Sequence, residues 1–101
     1  MSRLSFEQNI ARFRVEIHAG RFFEAHEIME AVWIENGRRR GDVWQGLTQL
    51  AVALMHASRG NHAGAARVYA KALKNLEQPA REFPAVAEFL AFAGRVFTGV
   101  G

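Results

Sequence analysis

The sequence contains no cysteine, so neither a disulfide framework nor a thiolate metal site is available to it. No apolar run approaches the roughly 20 residues of a membrane-spanning helix. The N-terminal stretch MSRLSFEQNI also lacks the apolar core of a signal peptide. Period-two alternation of apolar and polar residues is absent, and no β-strand is predicted. We therefore expect an all-α protein of the cytoplasm with no membrane segment.

The sequence also lacks a large excess of charge of either sign. Lys and Arg number 13 against 10 Asp and Glu, and the formal net charge is +3. This balance is ordinary for a soluble protein, so we do not expect nucleic acid as a partner. The basic run Arg38–Arg40 stands between two glycines, where three like charges cannot pack. It predicts a solvated loop, with a phosphate contact as the alternative.

Glycine and proline divide the chain into five helical segments. The apolar spacing between these breaks predicts helices near residues 5–18, 21–36, 42–58, 62–77 and 84–97. Asn61 suits an N-cap, and Pro84 suits the first turn of the last helix. Pro79 and Pro84 bracket the break before that helix. The 101 residues, half of them hydrophobic, suffice for one core, so we expect a single domain over residues 1–101.

Residues 5–36 and 45–76 repeat one pattern of helix, glycine turn and helix. When the two halves are aligned, Gly20 falls on Gly60 and Ala25 falls on Ala65. A small residue after the turn lets the two helices of a hairpin approach closely. The pattern is similar to a tetratricopeptide-type hairpin, although two units are fewer than a solenoid uses. We therefore expect a compact bundle of two hairpins and a C-terminal helix.

Two of the predicted helices carry polar side chains on one face. On the second helix, His26 and Glu30 lie one turn apart inside an aromatic face. On the third helix, a polar stripe lies opposite a row of leucines. The connecting loop is short, so the two helices should be antiparallel neighbours with these faces toward each other. The predicted polar cluster comprises His26, Glu27, Glu30, Trp33, Gln45, Gln49 and His56.

Three interpretations of the polar cluster stay open. In the first, it is a buried hydrogen-bond network with neutral imidazoles, in which Glu30 accepts from Gln45 or Gln49. In the second, it orients a small molecule or a peptide in a pocket with aromatic walls. In the third, it binds a divalent metal such as Zn, in a pattern that lacks the second histidine of a zincin motif. The ligands would then be His26, Glu30 and His56, with Glu27 as the general base.

The motifs resemble a known family. GRFFEAHEIMEAVW, followed by WQGLTQLAVALMHASRGNHAGAARVYAKALKNL, is similar to the family called domain of unknown function 309, over residues 13–76. Thr48 departs from the pattern, in which a bulky aliphatic residue is usual. The resemblance implies a small all-helical protein and no activity, since none is assigned to the family. The matching positions are Glu24, His26, Glu27, Glu30, Trp33, Gln45, Gly46, Gln49, His56, Gly60, Asn61 and Gly64.

Our first functional hypothesis is a non-catalytic binding or interaction module without a cofactor, whose ligand is a protein or a small molecule. A small metal-dependent hydrolase is the alternative, so whether the protein is an enzyme stays open. The last helix spreads large apolar side chains round most of its circumference. An uncovered apolar patch usually marks an interface, so we expect a two-fold homodimer through this helix. Alternatively, the helix is a lid that covers both hairpins within one chain.

Overall fold

The computed structural model describes residues 4–98, which form five α-helices. These are α1 (Phe6–His18), α2 (Phe22–Glu35), α3 (Val43–Ser58), α4 (His62–Glu82) and α5 (Pro84–Thr98). No strand occurs in this range, so the all-α prediction is confirmed, and each helix begins within one residue of its predicted start. Of the five described helices, none combines the length and the apolarity that a bilayer crossing requires.

The turns are built by local contacts. The side chain of Asp42 caps α3, and Asn61 accepts a hydrogen bond from the Gly64 N–H at 3.1 Å at the start of α4. This contact confirms the predicted N-cap. Gly20 and Gly60 both adopt the left-handed backbone conformation, with φ of 76° and 79°. The two turns that the repeat aligned therefore use the same glycine geometry.

The fourth helix is longer than predicted, because it continues through Pro79 to Glu82. Proline usually ends a helix because it lacks an N–H and its ring crowds the preceding turn. Here the next turn survives, and the Phe83 N–H donates to the Pro79 carbonyl at 2.8 Å. The break falls instead at Phe83, whose backbone is extended, as the residue before a proline prefers. The proline that ends α4 is thus Pro84 and not Pro79.

The helices form two hairpins, α1–α2 and α3–α4, which join where α2 packs against α3. The small residues that the repeat aligned, Ala25 and Ala65, are both buried. Gly46 allows a still closer approach of α3 and α4, because a Cβ there would lie 2.6 Å from Cδ2 of Leu76. One contiguous core results. Its largest fully buried side chains are Phe13, Phe89, Ile17, Met29, Leu47, Leu50, Leu54, Leu76 and Val86.

The last helix lies across both hairpins. It packs on α3 and α4, and its Phe89 ring meets the Phe13 ring of α1 edge-on at 5.0 Å. Phe92 contacts His18 at the end of α1, with ring centroids 5.2 Å apart. Phe97 contacts Tyr69 of α4 at 4.4 Å. All three aromatic side chains of α5 therefore make ring contacts within one chain, as the lid interpretation expects.

Candidate functional site

The outward side of α3 lies between two flanking helices. α2 and α4 each pack along α3 and make little contact with each other. The inner side of α3 is buried in the core, whereas four residues at helical spacing on its outer side are only half-buried. We call this surface the α3 groove, with α2 and α4 as its walls. Its floor consists of Gln45, Gln49, Val52 and His56.

Each glutamine of the floor uses its side-chain oxygen for a contact within the protein. Oε1 of Gln49 accepts from Nδ2 of Asn75 on α4 at 2.7 Å. Oε1 of Gln45 accepts from the Gly41 N–H at 2.6 Å, which closes the α2–α3 loop. Within residues 4–98 neither glutamine bonds to Glu30, so this part of the expected buried network is not formed. The Gln49 oxygen is turned toward α4, and the Gln45 oxygen toward the α2–α3 loop.

Asn75 was missed by the sequence analysis. It lies one turn after the buried Ala72 and beside the buried Leu76, so it is a polar residue within an apolar stripe. Such a position signals a hydrogen bond across helices, since a buried amide needs a partner.

His56 ends the groove at the α3–α4 turn. Its Nδ1 lies 3.3 Å from Nδ2 of Asn61, and the amide donates when Nδ1 carries no proton. Asn61 at the same time caps α4 through Gly64. A Cβ at Gly64 would lie 2.5 Å from Nδ2 of Asn61, so only glycine leaves room for this cap. The motif residues His56, Asn61 and Gly64 thus form one connected turn.

His26 and Glu30 lie at the α2 wall. Their closest atoms, Nε2 and Oε2, are 3.7 Å apart, and the Glu30 side chain is 49% exposed. Nδ1 of His26 is buried without a hydrogen-bond partner in the described part of the chain. Such a group weakens the fold, because burial removes its hydrogen bonds to water without providing a partner in the protein. Glu27 is exposed on α2, one turn before Glu30.

Trp33 has a local role. Its Nε1 donates to the Arg39 carbonyl at 2.9 Å and so anchors the loop between α2 and α3. Arg38 in this loop has a positive φ of 54°, and the whole run Arg38–Arg40 is exposed. The basic run is therefore a solvated loop held by the indole.

The structure assembles two of the three proposed metal ligands. His26 and Glu30 are adjacent, whereas His56 contacts Asn61 at the α3–α4 turn. In the region from residue 4 to 98, no three His, Asp or Glu side chains converge as a metal site requires. The zinc alternative, with Glu27 as general base, stays a prediction.

A cavity of about 480 Å³ opens at one end of the bundle, outside the α3 groove. None of its lining residues belongs to the predicted polar cluster. The lining residues of the cavity are Phe22, Leu54, Ala57, Ser58, His62, Val96 and Phe97.

The fold and its turns define a class: small all-α proteins of two helical hairpins closed by a C-terminal helix. A family model described as "Domain of unknown function (DUF309)" matches residues 10–68, more than half of the chain. The chain belongs to this family, and the resemblance seen in the motifs is confirmed. The matched range includes most of α1, all of α2 and α3 and the start of α4, and therefore the whole floor of the α3 groove.

The chain is also similar to "Uncharacterized protein YpuF" of Bacillus subtilis (strain 168). The two are 46% identical over 67 residues, which cover 64% of this chain and 38% of that protein. The chain thus spans well under half of the length of this relative. No solved structure matches the chain. Neither the family nor this relative indicates a specific function.

Proposed function

We propose that this protein is a non-catalytic binding module that holds an extended segment of a partner protein along the α3 groove. The floor of the groove carries the proposal. It runs from Gln45 to His56, a distance of about 16 Å along the helix axis, and all four of its residues are half-buried. An open surface of this length suits a peptide better than an enclosed small molecule.

The spacing of the unused amide donors on the groove floor matches the spacing of carbonyl groups along an extended peptide. The Nε2 groups of Gln45 and Gln49 make no hydrogen bond in the described range, since each amide uses only its oxygen there. Four residues of helix advance by about 6 Å. Carbonyls on one side of an extended peptide repeat every two residues, or about 6.7 Å. Two successive carbonyls of a bound segment can therefore each accept from one glutamine.

The walls of the groove differ in charge. α2 contains four glutamates and no Lys or Arg, and the side chain of Glu30 is about half exposed. On α4, Lys71 precedes Asn75 by one turn and is exposed. We expect a bound segment to carry a basic side chain toward α2, where the half-exposed carboxylate of Glu30 can pair with it. The proposal puts this interaction in the cytoplasm, which a chain without cysteine suits.

A displayed library of random peptides tests the proposal. We expect the protein to enrich a set of peptides, and Gln49→Leu to weaken their binding about tenfold, as the loss of one hydrogen-bond donor predicts. Gln8→Leu is the matched control, because Gln8 is an exposed glutamine of α1, which forms no part of the groove. Circular dichroism shows that each variant is folded. Failure to enrich any peptide, or equal effects of the two substitutions, would count against the groove.

Elemental mass spectrometry tests the alternative function. The protein is purified without added metal, and its content of Zn, Mn and Fe is measured per chain. The binding module needs none of them. A stoichiometric metal that is lost in His26→Ala would favour the metal-dependent hydrolase instead.

A further inference from the structure

A second surface, between α4 and α5, is apolar and open. A shallow cavity of about 460 Å³ is lined there by Leu73, Lys74, Glu77, Ala80 and Leu90. Leu73 is 40% exposed, which is unusual for a leucine in the middle of a packed helix. We call these five residues the α4–α5 patch. It is separate from the α3 groove, because Leu73 and Asn75 lie about 200° apart around α4.

The patch remains after α5 has closed the bundle. The inner side of α5 is buried through Val86, Phe89 and Ala93, and Phe92 is used against α1. Leu90 lies on the side of α5 toward α4 and stays half-buried. Leu73 and Leu90 therefore keep apolar area in water, and burial of such area drives association.

The charges at the rim of the patch are complementary to each other. Lys74 and Glu77 lie one turn apart on α4 and have opposite signs. Lys74 makes no ion pair within the described residues, and the pair between Glu77 and Arg81 is 3.7 Å long and more than 70% exposed on both sides. An exposed pair of this kind contributes little, so Glu77 can exchange it for another cation.

A two-fold interface requires a surface that is complementary to itself. When two α4 helices cross antiparallel about a point between residues 74 and 77, Lys74 of each chain faces Glu77 of the partner subunit. The same axis brings Leu73 and Leu90 of one chain against the same two residues of the other chain. We propose that the α4–α5 patch binds a second copy of this chain in a two-fold dimer centred on Leu73 and Leu90.

Sedimentation equilibrium of the full chain tests the dimer. We expect a mass near twice the 11.3 kDa of one chain at high micromolar concentration. Leu73→Glu should raise the dissociation constant at least about tenfold, since a buried charge replaces a central apolar contact. Val15→Glu is the matched control, because Val15 is 60% exposed on α1 and lies outside the patch.

Exchange of the charges at positions 74 and 77 tests whether the two α4 helices cross antiparallel. Lys74→Glu and Glu77→Lys should each weaken the dimer, and the double variant should restore it, because the two charges are only exchanged across the axis. A wild-type mass of 11.3 kDa at every concentration would overturn the proposal. A dimer that survives Leu73→Glu, or a double variant weaker than both single ones, would overturn the assigned surface. The peptide selection described above does not depend on this result.

Discussion

Asn75 of α4 donates from Nδ2 to Oε1 of Gln49 on α3, over 2.7 Å. This bond links the floor of the α3 groove to its α4 wall and orients the glutamine amide. The oxygen of Gln49 is turned toward α4, so its NH₂ group is left for a ligand. Both residues are partly buried, where a bond between two amides is less exposed to competing water.

The coupling between Asn75 and Gln49 can be measured with a double-mutant cycle. We expect Asn75→Ala and Gln49→Ala each to lower the free energy of unfolding by about 1 kcal/mol. The double variant should lose less than the sum, with a coupling of about 0.5–1 kcal/mol. Urea denaturation gives all four values. Strictly additive losses would mean that the bond contributes nothing in solution.

His26→Leu should leave the free energy of unfolding unchanged or raise it by up to about 1 kcal/mol. The substitution removes the buried Nδ1 that has no partner and keeps most of the side-chain volume. Glu30, being half exposed, is not stranded by the change. The urea midpoint is the measurement. A loss of more than about 1 kcal/mol would show that His26 makes a contact that stabilises the fold.

Gly46→Ala should lower the free energy of unfolding by about 1–3 kcal/mol, because the new Cβ meets Leu76 and the core cannot yield freely. Gly94→Ala is the control. Among residues 4–98, the nearest side-chain atom to a Cβ there would be Oη of Tyr69, at 3.8 Å, which is an ordinary contact. This helical position should gain about 0.5–1 kcal/mol from the better helix former. Thermal denaturation compares the two, and equal effects would contradict the close α3–α4 approach.

Acid should loosen the contact between α5 and α1. Both carboxylate oxygens of Glu88 accept from Arg14, at 3.0 Å each, and His18 lies 3.6 Å away. The hydrogen bonds from Arg14, and secondarily His18, lower the pKa of Glu88 below its ordinary value of 4.5. A lowered pKa in the folded state means that Glu88 stabilises the protein above pH 4.5, and that this contribution disappears as the pH falls through the lowered value.

The variant Glu88→Gln isolates this contribution. It should lower stability at neutral pH and make the urea midpoint less sensitive to acid than in the wild type. Glu82→Gln, at an exposed glutamate without an ion pair in residues 4–98, should keep the acid sensitivity of the wild type. If the urea midpoints of the two variants fall equally with pH, protonation of Glu88 is not what destabilises the protein in acid.

The positions of the helices were determined by the sequence itself, because their signals are local. Asn61 can cap α4 with a residue three positions away, and Pro84 can begin α5 without losing a backbone hydrogen bond. Pro79 is the instructive exception. Its local rule predicted a break, but α4 continues through it and ends at Phe83, where the following Pro84 favours an extended backbone.

The rotation of one helix against another was decided only by the tertiary structure. Periodicity shows that Gln45 and Gln49 share a face of α3, but it does not show which neighbour that face meets. Close packing at Gly46 turns α3 toward α4, so Gln49 bonds Asn75 and not Glu30. The choice between lid and uncovered helix was likewise open in the sequence. It depended on whether Phe89 and Phe92 contact α1, whose residues lie more than 70 positions earlier in the sequence. Such contacts exist only once the chain has folded.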